Sequence, residues 1–220
     1  MDGIDAMGYE TATPVQEQVI PSIIAGKDII AAAQTGTGKT AAFLLPVLHK
    51  LLSEDHETNS INALIIVPTR ELAVQISQTL EGIAYYTSIS FISVYGGTGG
   101  DLFASEKKAL STGVDIVICT PGRMISHLNM GYVKLDNLRY LILDEADRML
   151  DMGFYEDIIK IISYVPKQRQ NLLFSATMPP AIRKLANTIL KNPTEINIAI
   201  SKPPEKIVQE AFLVYDAQKI

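Results

Sequence analysis

The run Ala33-Gln34-Thr35-Gly36-Thr37-Gly38-Lys39-Thr40 concentrates groups able to hold phosphate. Glycines at 36 and 38 let neighbouring backbone amides converge on one point, and a helix opening at Lys39 adds the positive end of its dipole there. The Lys39 ammonium would reach β and γ phosphates, and the Thr40 hydroxyl would ligate a phosphate-bound Mg²⁺. The general phosphate-loop pattern opens on glycine, whereas Ala33 occupies that position here. Further on, Leu141-Ile142-Leu143 runs into Asp144-Glu145-Ala146-Asp147, an apolar strand that delivers carboxylates at its carboxyl end. Asp144 is expected to hold Mg²⁺, directly or through water, and Glu145 to orient or deprotonate an attacking water. Helix capping or a solvated acidic turn would explain these carboxylates if they stood alone, but the phosphate loop upstream gives them a substrate.

A dinucleotide site competes for the same glycines, because Gly36-Thr37-Gly38-Lys39-Thr40-Ala41 also fits G-x-G-x-x-[G/A]. That chemistry wants an acidic residue about 20 positions on, at the end of the next strand, to hold a ribose. The next strand ends Val67-Pro68-Thr69-Arg70 instead, which disfavours it.

The elements that must position these groups follow from hydrophobic patterning. Short apolar runs alternate with segments of helical period, the pattern of an α/β chain with a mostly parallel sheet and helices on both faces. Strands are expected at Asp28–Ala32, Asn62–Val67, Ser90–Tyr95, Asp115–Cys119, Tyr140–Leu143, Leu172–Phe174 and Glu195–Ile200. Most do not alternate with polar residues, as strands covered on both sides should not. Leu72, Ile76, Leu80 and Ile83 share one helical stripe, and Ile182, Leu185, Ala186, Ile189 and Leu190 another; both are expected to be core faces. The polar stretch Ser53–Ser60 is expected to be a surface loop, and the chain from Ser201 a connector with one apolar run, Ala211–Tyr215.

With those elements in place, the sequence resembles the DEAD-box family of ATP-dependent RNA helicases. Gly8-Tyr9-Glu10 through Thr13-Pro14-Val15-Gln16 is similar to the Q motif, Ala33–Thr40 to motif I, and Pro68-Thr69-Arg70-Glu71-Leu72-Ala73 to motif Ia. Gly96-Gly97, Thr120-Pro121-Gly122-Arg123 (motif Ib), Asp144-Glu145-Ala146-Asp147 and Ser175-Ala176-Thr177 (motif III) follow in family order. A DEAH-type helicase would carry His in place of Asp147. The family also accepts alanine at the first phosphate-loop position.

The resemblance implies a RecA-like domain over residues 1–200, with 201–220 forming a terminal strand and the start of an interdomain linker. It implies ATP and Mg²⁺ as ligands. Gln16 would read the adenine edge with both amide functions, Tyr9 would stack on the base, and Thr11 would offer its backbone carbonyl. Ala33, Gln34, Thr35, Gly36, Thr37, Gly38, Lys39 and Thr40 would surround the phosphates. Pro68, Thr69, Arg70, Gly97, Thr120 and Arg123 would touch the sugar-phosphate backbone of RNA, without strong sequence preference. Ser175 and Thr177 would bond Asp147 and couple the nucleotide to RNA remodelling. Ala12 stands where the family has proline, and the upstream aromatic of the full Q motif is absent. No His-Arg-x-Gly-Arg-x-Gly-Arg run occurs in these residues, so a second RecA-like domain is expected as a partner within the same protein. An ATP-regulated RNA clamp that does not unwind is the alternative activity.

Composition limits the other possibilities. Of 220 residues, 47% are hydrophobic and 20% charged, enough apolar material for one large domain without disulfides or metals. The net charge of −5, with no basic run longer than two residues, excludes bulk capture of nucleic acid. Cys119 has no partner cysteine and sits in an apolar strand, so it reads as a buried core residue. His49, His56 and His127 share no ligand spacing, and none is given to a metal. No membrane span and no signal peptide are apparent, and a monomeric cytoplasmic domain is expected.

Overall fold

All seven apolar runs form strands. A computed structural model describes residues 2–34, 36–97 and 100–198. The chain opens with α1 (Asp2–Ala6), α2 (Pro14–Ile24), β1 (Ile29–Ala32), α3 (Lys39–Ser53), β2 (Ala63–Ile66) and α4 (Arg70–Ala84). It continues through β3 (Phe91–Val94), α5 (Gly100–Thr112), β4 (Ile116–Cys119), α6 (Pro121–Asn129) and β5 (Tyr140–Leu143). It closes with α7 (Ala146–Asp151), α8 (Tyr155–Ser163), β6 (Gln170–Ser175), α9 (Pro180–Ile189) and β7 (Thr194–Asn197). The strands form one sheet in the order β3-β4-β2-β5-β6-β1-β7, every pair parallel.

Successive strand residues point to opposite faces, and the two faces build two cores. Ile29, Ala31, Ala63, Ile65, Ile116, Ile118, Ile142, Leu172 and Phe174 pack on the side covered by α2, α3 and α4. Ile30, Leu64, Ile66, Val117, Cys119, Leu141, Leu143 and Leu173 pack on the other, against α6, α7, α8 and α9. That is why the central strands read as unbroken apolar runs: both sets of side chains need burial. The Ile76, Leu80 and Ile83 stripe enters the first core and the Ile182, Leu185, Ala186 and Ile189 stripe the second, while Leu72 is only partly buried. Cys119 is fully buried, and burial drives its thiol pKa far above the usual range, so it acts as a core residue. No helix among the described residues is long and apolar enough to cross a membrane.

β5 matches its expected bounds; β1 to β4 are shorter than expected by one residue at one or both ends, and β6 and β7 differ more. β6 runs two residues earlier and one later than Leu172–Phe174, because Gln170 and Asn171 are buried by hydrogen bonds that the apolar pattern does not reveal. β7 begins at Thr194. Ala199, Ile200 and the expected connector and apolar run from Ser201 lie outside the described residues.

The amino ends of β1, β6 and β7 are held together by one carboxylate. Buried Asp28 accepts from the Asn171 backbone N–H at 2.8 Å, the Asn171 side-chain amide at 3.0 Å and the Lys191 N–H at 2.7 Å. Asp28→Ala strands these donors in the interior, and buried unsatisfied donors cost about 1–3 kcal/mol each before relaxation. We expect a net loss of about 2–3 kcal/mol, measured as a lower urea midpoint at unchanged slope.

Candidate nucleotide and nucleic-acid sites

Strand order sorts the chemistry-bearing loops into two sets along the carboxyl edge of the sheet. β5, β6 and β1 are neighbours, so Asp144, Ser175 and the loop 33–40 emerge side by side. β3, β4 and β2 are likewise neighbours, so Gly96-Gly97, Thr120 and Pro68-Thr69-Arg70 emerge together on the other half. These segments are far apart in sequence, and the crossover helices bring them together.

In the first set the loop wraps its own lysine. Lys39 is buried, and its Nζ donates to the Ala33 carbonyl at 2.8 Å, closing the loop into a ring. Gly38 caps α3 at φ 91°, which favours glycine, and a Cβ there would lie 2.7 Å from the Gln16 amide nitrogen and displace that side chain. Gly36 is also left-handed, at φ 83°. Thr37 Oγ1 donates to the Gln34 carbonyl at 2.8 Å. Thr40 is half-buried one residue into α3, and Thr35 lies outside the described residues.

Gln16 reaches this loop from α2. Its Nε2 donates to the Gly38 carbonyl at 3.2 Å, and its Oε1 accepts from the Thr13 N–H at 2.9 Å. Both amide functions are therefore engaged with protein, so the structure gives Gln16 a loop-bracing position that the adenine assignment did not foresee. Tyr9 packs partly buried against the first core, and Thr11 is exposed.

The acidic strand end supplies the opposing charge. Asp144 is 2% exposed, and burial pushes its carboxyl pKa up to about 6 despite the nearby Lys39 ammonium. Among the described residues, one hydrogen bond reaches its carboxylate, from the Glu145 N–H to Oδ1 at 2.9 Å. Such a desolvated carboxylate is suited to a hard cation. No group of three or more His, Cys, Asp or Glu able to hold a metal occurs among the described residues. That combination fits Mg²⁺, which keeps several waters and needs only one or two protein oxygens besides substrate phosphates. Thr40 and Asp144 are the residues that would hold it.

Glu145 adopts φ 51°, ψ 49°, a left-handed conformation that a non-glycine residue occupies only at a cost. Its Oε2 meets Arg148 at 3.3 Å. Asp147 faces motif III: its Oδ2 accepts from the Thr177 N–H at 2.9 Å and hydroxyl at 2.8 Å. Burial pushes the Asp147 carboxyl up, but these bonds outweigh it and hold the group below the usual carboxylate range. Ser175 also bonds Asp147, as expected: its hydroxyl accepts from the Asp147 backbone N–H at 3.2 Å, adds to the bonds that lower the carboxyl, and donates to the Thr177 carbonyl at 2.8 Å.

The second set surrounds a shallow depression of about 410 Å³ lined by Pro68, Arg70, Gly96, Thr120, Arg123 and Phe154, among others. Thr69 and Thr120 are the N-caps of α4 and α6, so two helix amino ends open near it. Arg70 is exposed and lies over the Tyr95 ring at 5.1 Å. Gly97, at φ 85°, passes beneath the Arg70 guanidinium. Arg123 is less free than the sequence implied. Its Nε donates to Glu106 Oε2 at 2.8 Å, and Nη2 approaches the same oxygen at 2.7 Å. His127, given no role from sequence, completes this group by facing Glu106 from the interior. A larger cavity of about 520 Å³, lined by Gly3, Leu48, Leu52 and Tyr86 among others, contains none of these residues.

A phosphate loop after β1, a carboxylate-bearing turn after β5 and motif III after the strand between them define a phosphate-loop domain of the RecA-like class. The chain belongs to the DEAD/DEAH box helicase family, whose model matches residues 13–185. It is 44% identical over 217 residues to the ATP-dependent RNA helicase CshA of Listeria monocytogenes, covering 98% of this chain and 41% of that protein. The DEAD-box ATP-dependent RNA helicase CshA of Streptococcus pneumoniae is 46% identical, with 96% and 39% covered. A crystal structure of a DEAD box protein from the hyperthermophile Methanococcus jannaschii superposes at TM-score 0.81 and 39% identity, over 89% of this chain and 52% of that one. The present chain thus spans about two fifths of the length of these curated relatives.

Proposed function

We propose that this chain is the ATP-binding domain of an ATP-dependent RNA helicase, which couples ATP binding and hydrolysis to local RNA unwinding or remodelling in the cytoplasm. The observation that carries the reading is the division of the sheet's carboxyl edge: Lys39 and Asp144 converge on one half, and the Arg70 and Thr120 depression occupies the other. Lys39 exchanges the Ala33 carbonyl for β and γ phosphate oxygens, while the loop amides and the α3 amino end supply further donors. Asp144 and Thr40 would hold Mg²⁺, which would supply positive charge to neutralise those phosphates. Glu145 orients the water that attacks the γ phosphorus. RNA lies across the second half, held through backbone amides and Arg70, so recognition follows strand geometry and 2′-hydroxyls. The Asp147–Thr177 bond joins the carboxylate turn to motif III and is the route by which one half senses the other. A second RecA-like domain of the same protein completes both clefts.

Adenine selection is the first test. Tyr9 stacks on the base and Gln16 turns from Gly38 to its edge, so ADP is expected to bind at least about tenfold tighter than GDP, the worth of a well-made hydrogen-bond pair. Calorimetric titration measures both. Because Gln16 also braces the loop, Gln16→Ala will weaken both nucleotides, and the informative quantity is the ADP-to-GDP ratio. A ratio near one in the unaltered protein, or one untouched by Gln16→Ala, refutes the adenine assignment.

A further inference from the structure

Glu106 is 4% exposed, has three nitrogens within 2.9 Å of one oxygen and lies on α5, an element to which no motif assigns chemistry. Besides Nε and Nη2 of Arg123, Oε2 faces His127 Nε2 at 2.9 Å. His127 is fully buried, and its Nδ1 meets the Tyr132 hydroxyl. The Phe103 ring stacks on the imidazole at 4.4 Å and 14°, and the same ring lies 4.5 Å from the Arg123 guanidinium carbon. Lys107 sits over Tyr132 at 5.5 Å. The group therefore runs from the interior to a guanidinium at the wall of the depression.

The protonation pattern follows from the partners. Burial lowers the His127 pKa, and Arg123 lowers it further, against the opposing pull of Glu106; the ring is neutral at pH 7. A neutral imidazole with Nε2–H toward Glu106 accepts the Tyr132 O–H at Nδ1, so every polar atom of the ring has a partner and its orientation is fixed. The only charges left in contact are Glu106 and Arg123. A buried ion pair contributes little net stability compared with an apolar replacement, so stability alone does not account for it. What it does provide is geometry. Guanidinium is a planar fork, and with Nε and buried Nη2 turned to the carboxylate, Nη1 is left for a second anion.

We propose that Glu106 is a positioning residue for RNA: it clamps Arg123 on its Nε side so that Nη1 is presented to a backbone phosphate, with His127 and Tyr132 holding the clamp. This rests on reading the depression as the RNA surface. An arginine already fixed by Glu106 and Phe103 loses little rotamer freedom on meeting phosphate, so the gain appears in affinity. A contrary model is physically available, in which Glu106 competes with phosphate and its removal tightens binding. The two differ in sign.

The test uses the full-length gene product, fluorescein-labelled single-stranded RNA and a non-hydrolysable ATP analogue. Glu106→Gln keeps the shape and removes the charge; RNA affinity should fall about tenfold, as for one charge-assisted hydrogen bond, with affinity for the analogue unchanged. In an Arg123→Ala background the same change should add nothing further, a non-additivity that a purely structural role would not produce. Tyr132→Phe, which leaves Arg123 untouched, should weaken RNA binding about threefold. Unchanged or tighter RNA binding by Glu106→Gln, or an undiminished loss without Arg123, overturns the proposal. If Glu106→Gln does not fold, Tyr132→Phe decides, and unchanged affinity overturns it. Should Arg123→Ala itself leave RNA affinity intact, the RNA surface has been misplaced and the clamp falls with it; a loss with Arg123→Ala alone removes only the clamp.

Discussion

Glu145→Gln in the full-length protein is expected to bind ATP normally and to lose about 10²–10⁴-fold of its turnover, the range supplied by a positioned general base. The side chain follows buried Asp144 in a left-handed turn, at φ 51°. A residue held in that region is kept there by its surroundings. Burial raises the pKa of Asp144 and the Lys39 ammonium lowers it, and on the reading proposed above Glu145 orients the attacking water. Gln preserves size and hydrogen bonding but cannot accept a proton. The lost contact to Arg148, itself 57% exposed, costs little, since exposed pairs contribute at most about 1 kcal/mol. Lys39→Ala should behave differently, because the ammonium meets phosphates in the ground state and its removal weakens nucleotide binding itself. Steady-state ATPase rates with RNA, set beside analogue binding by calorimetry, separate the two. Near-wild-type turnover by Glu145→Gln would remove Glu145 from the base role.

The places of Lys39 at a helix start and Asp144 at a strand end were legible in the sequence because they depend on local pattern. A phosphate loop needs a strand, two glycines and a helix start within eight residues, and all of these are contiguous from Ala33 to Thr40. The seven strands were legible for a related reason: both faces of the sheet are covered, so apolar runs mark them. Gln170 and Asn171 escaped because polar strand residues are buried only when distant partners satisfy them, and Asp28 and the Ile23 and Lys27 carbonyls are more than 140 positions away. The Glu106 clamp escaped for the same reason. Glu106, Arg123, His127 and Tyr132 sit on one helix, the next helix and the loop after it, with no spacing that announces contact. Gln16 shows the intermediate case: motif position found the residue, but its hydrogen bond to Gly38 needed the fold.

Residues 1–220 by themselves are expected to bind nucleotide yet hydrolyse it about 10³–10⁵-fold more slowly than the full-length protein with RNA, and to respond little to added RNA. That factor is the worth of an arginine placed on the transferring phosphoryl group. The chain has six arginines, and each has another position. Arg70 and Arg123 belong to the depression, Arg139 pairs with Glu54 at 2.8 Å, and Arg169 donates to the Pro166 carbonyl at 2.6 Å. Arg183 lies 3.8 Å from Glu195, and Arg148 lies against Glu145, beside the proposed base rather than across the phosphates from it. On the function proposed above, the charge that develops at the γ phosphoryl is met by arginines of a second RecA-like domain closing over the loop. RNA affinity should also be weak, since a net charge of −5 leaves attraction to a few local donors. A strand-displacement assay on a short RNA duplex, run with ATP on residues 1–220 and on the full-length protein together, is decisive. Robust displacement by the short chain would mean that one of its own arginines, Arg148 first among them, reorients onto the phosphates, and the half-site reading would be withdrawn.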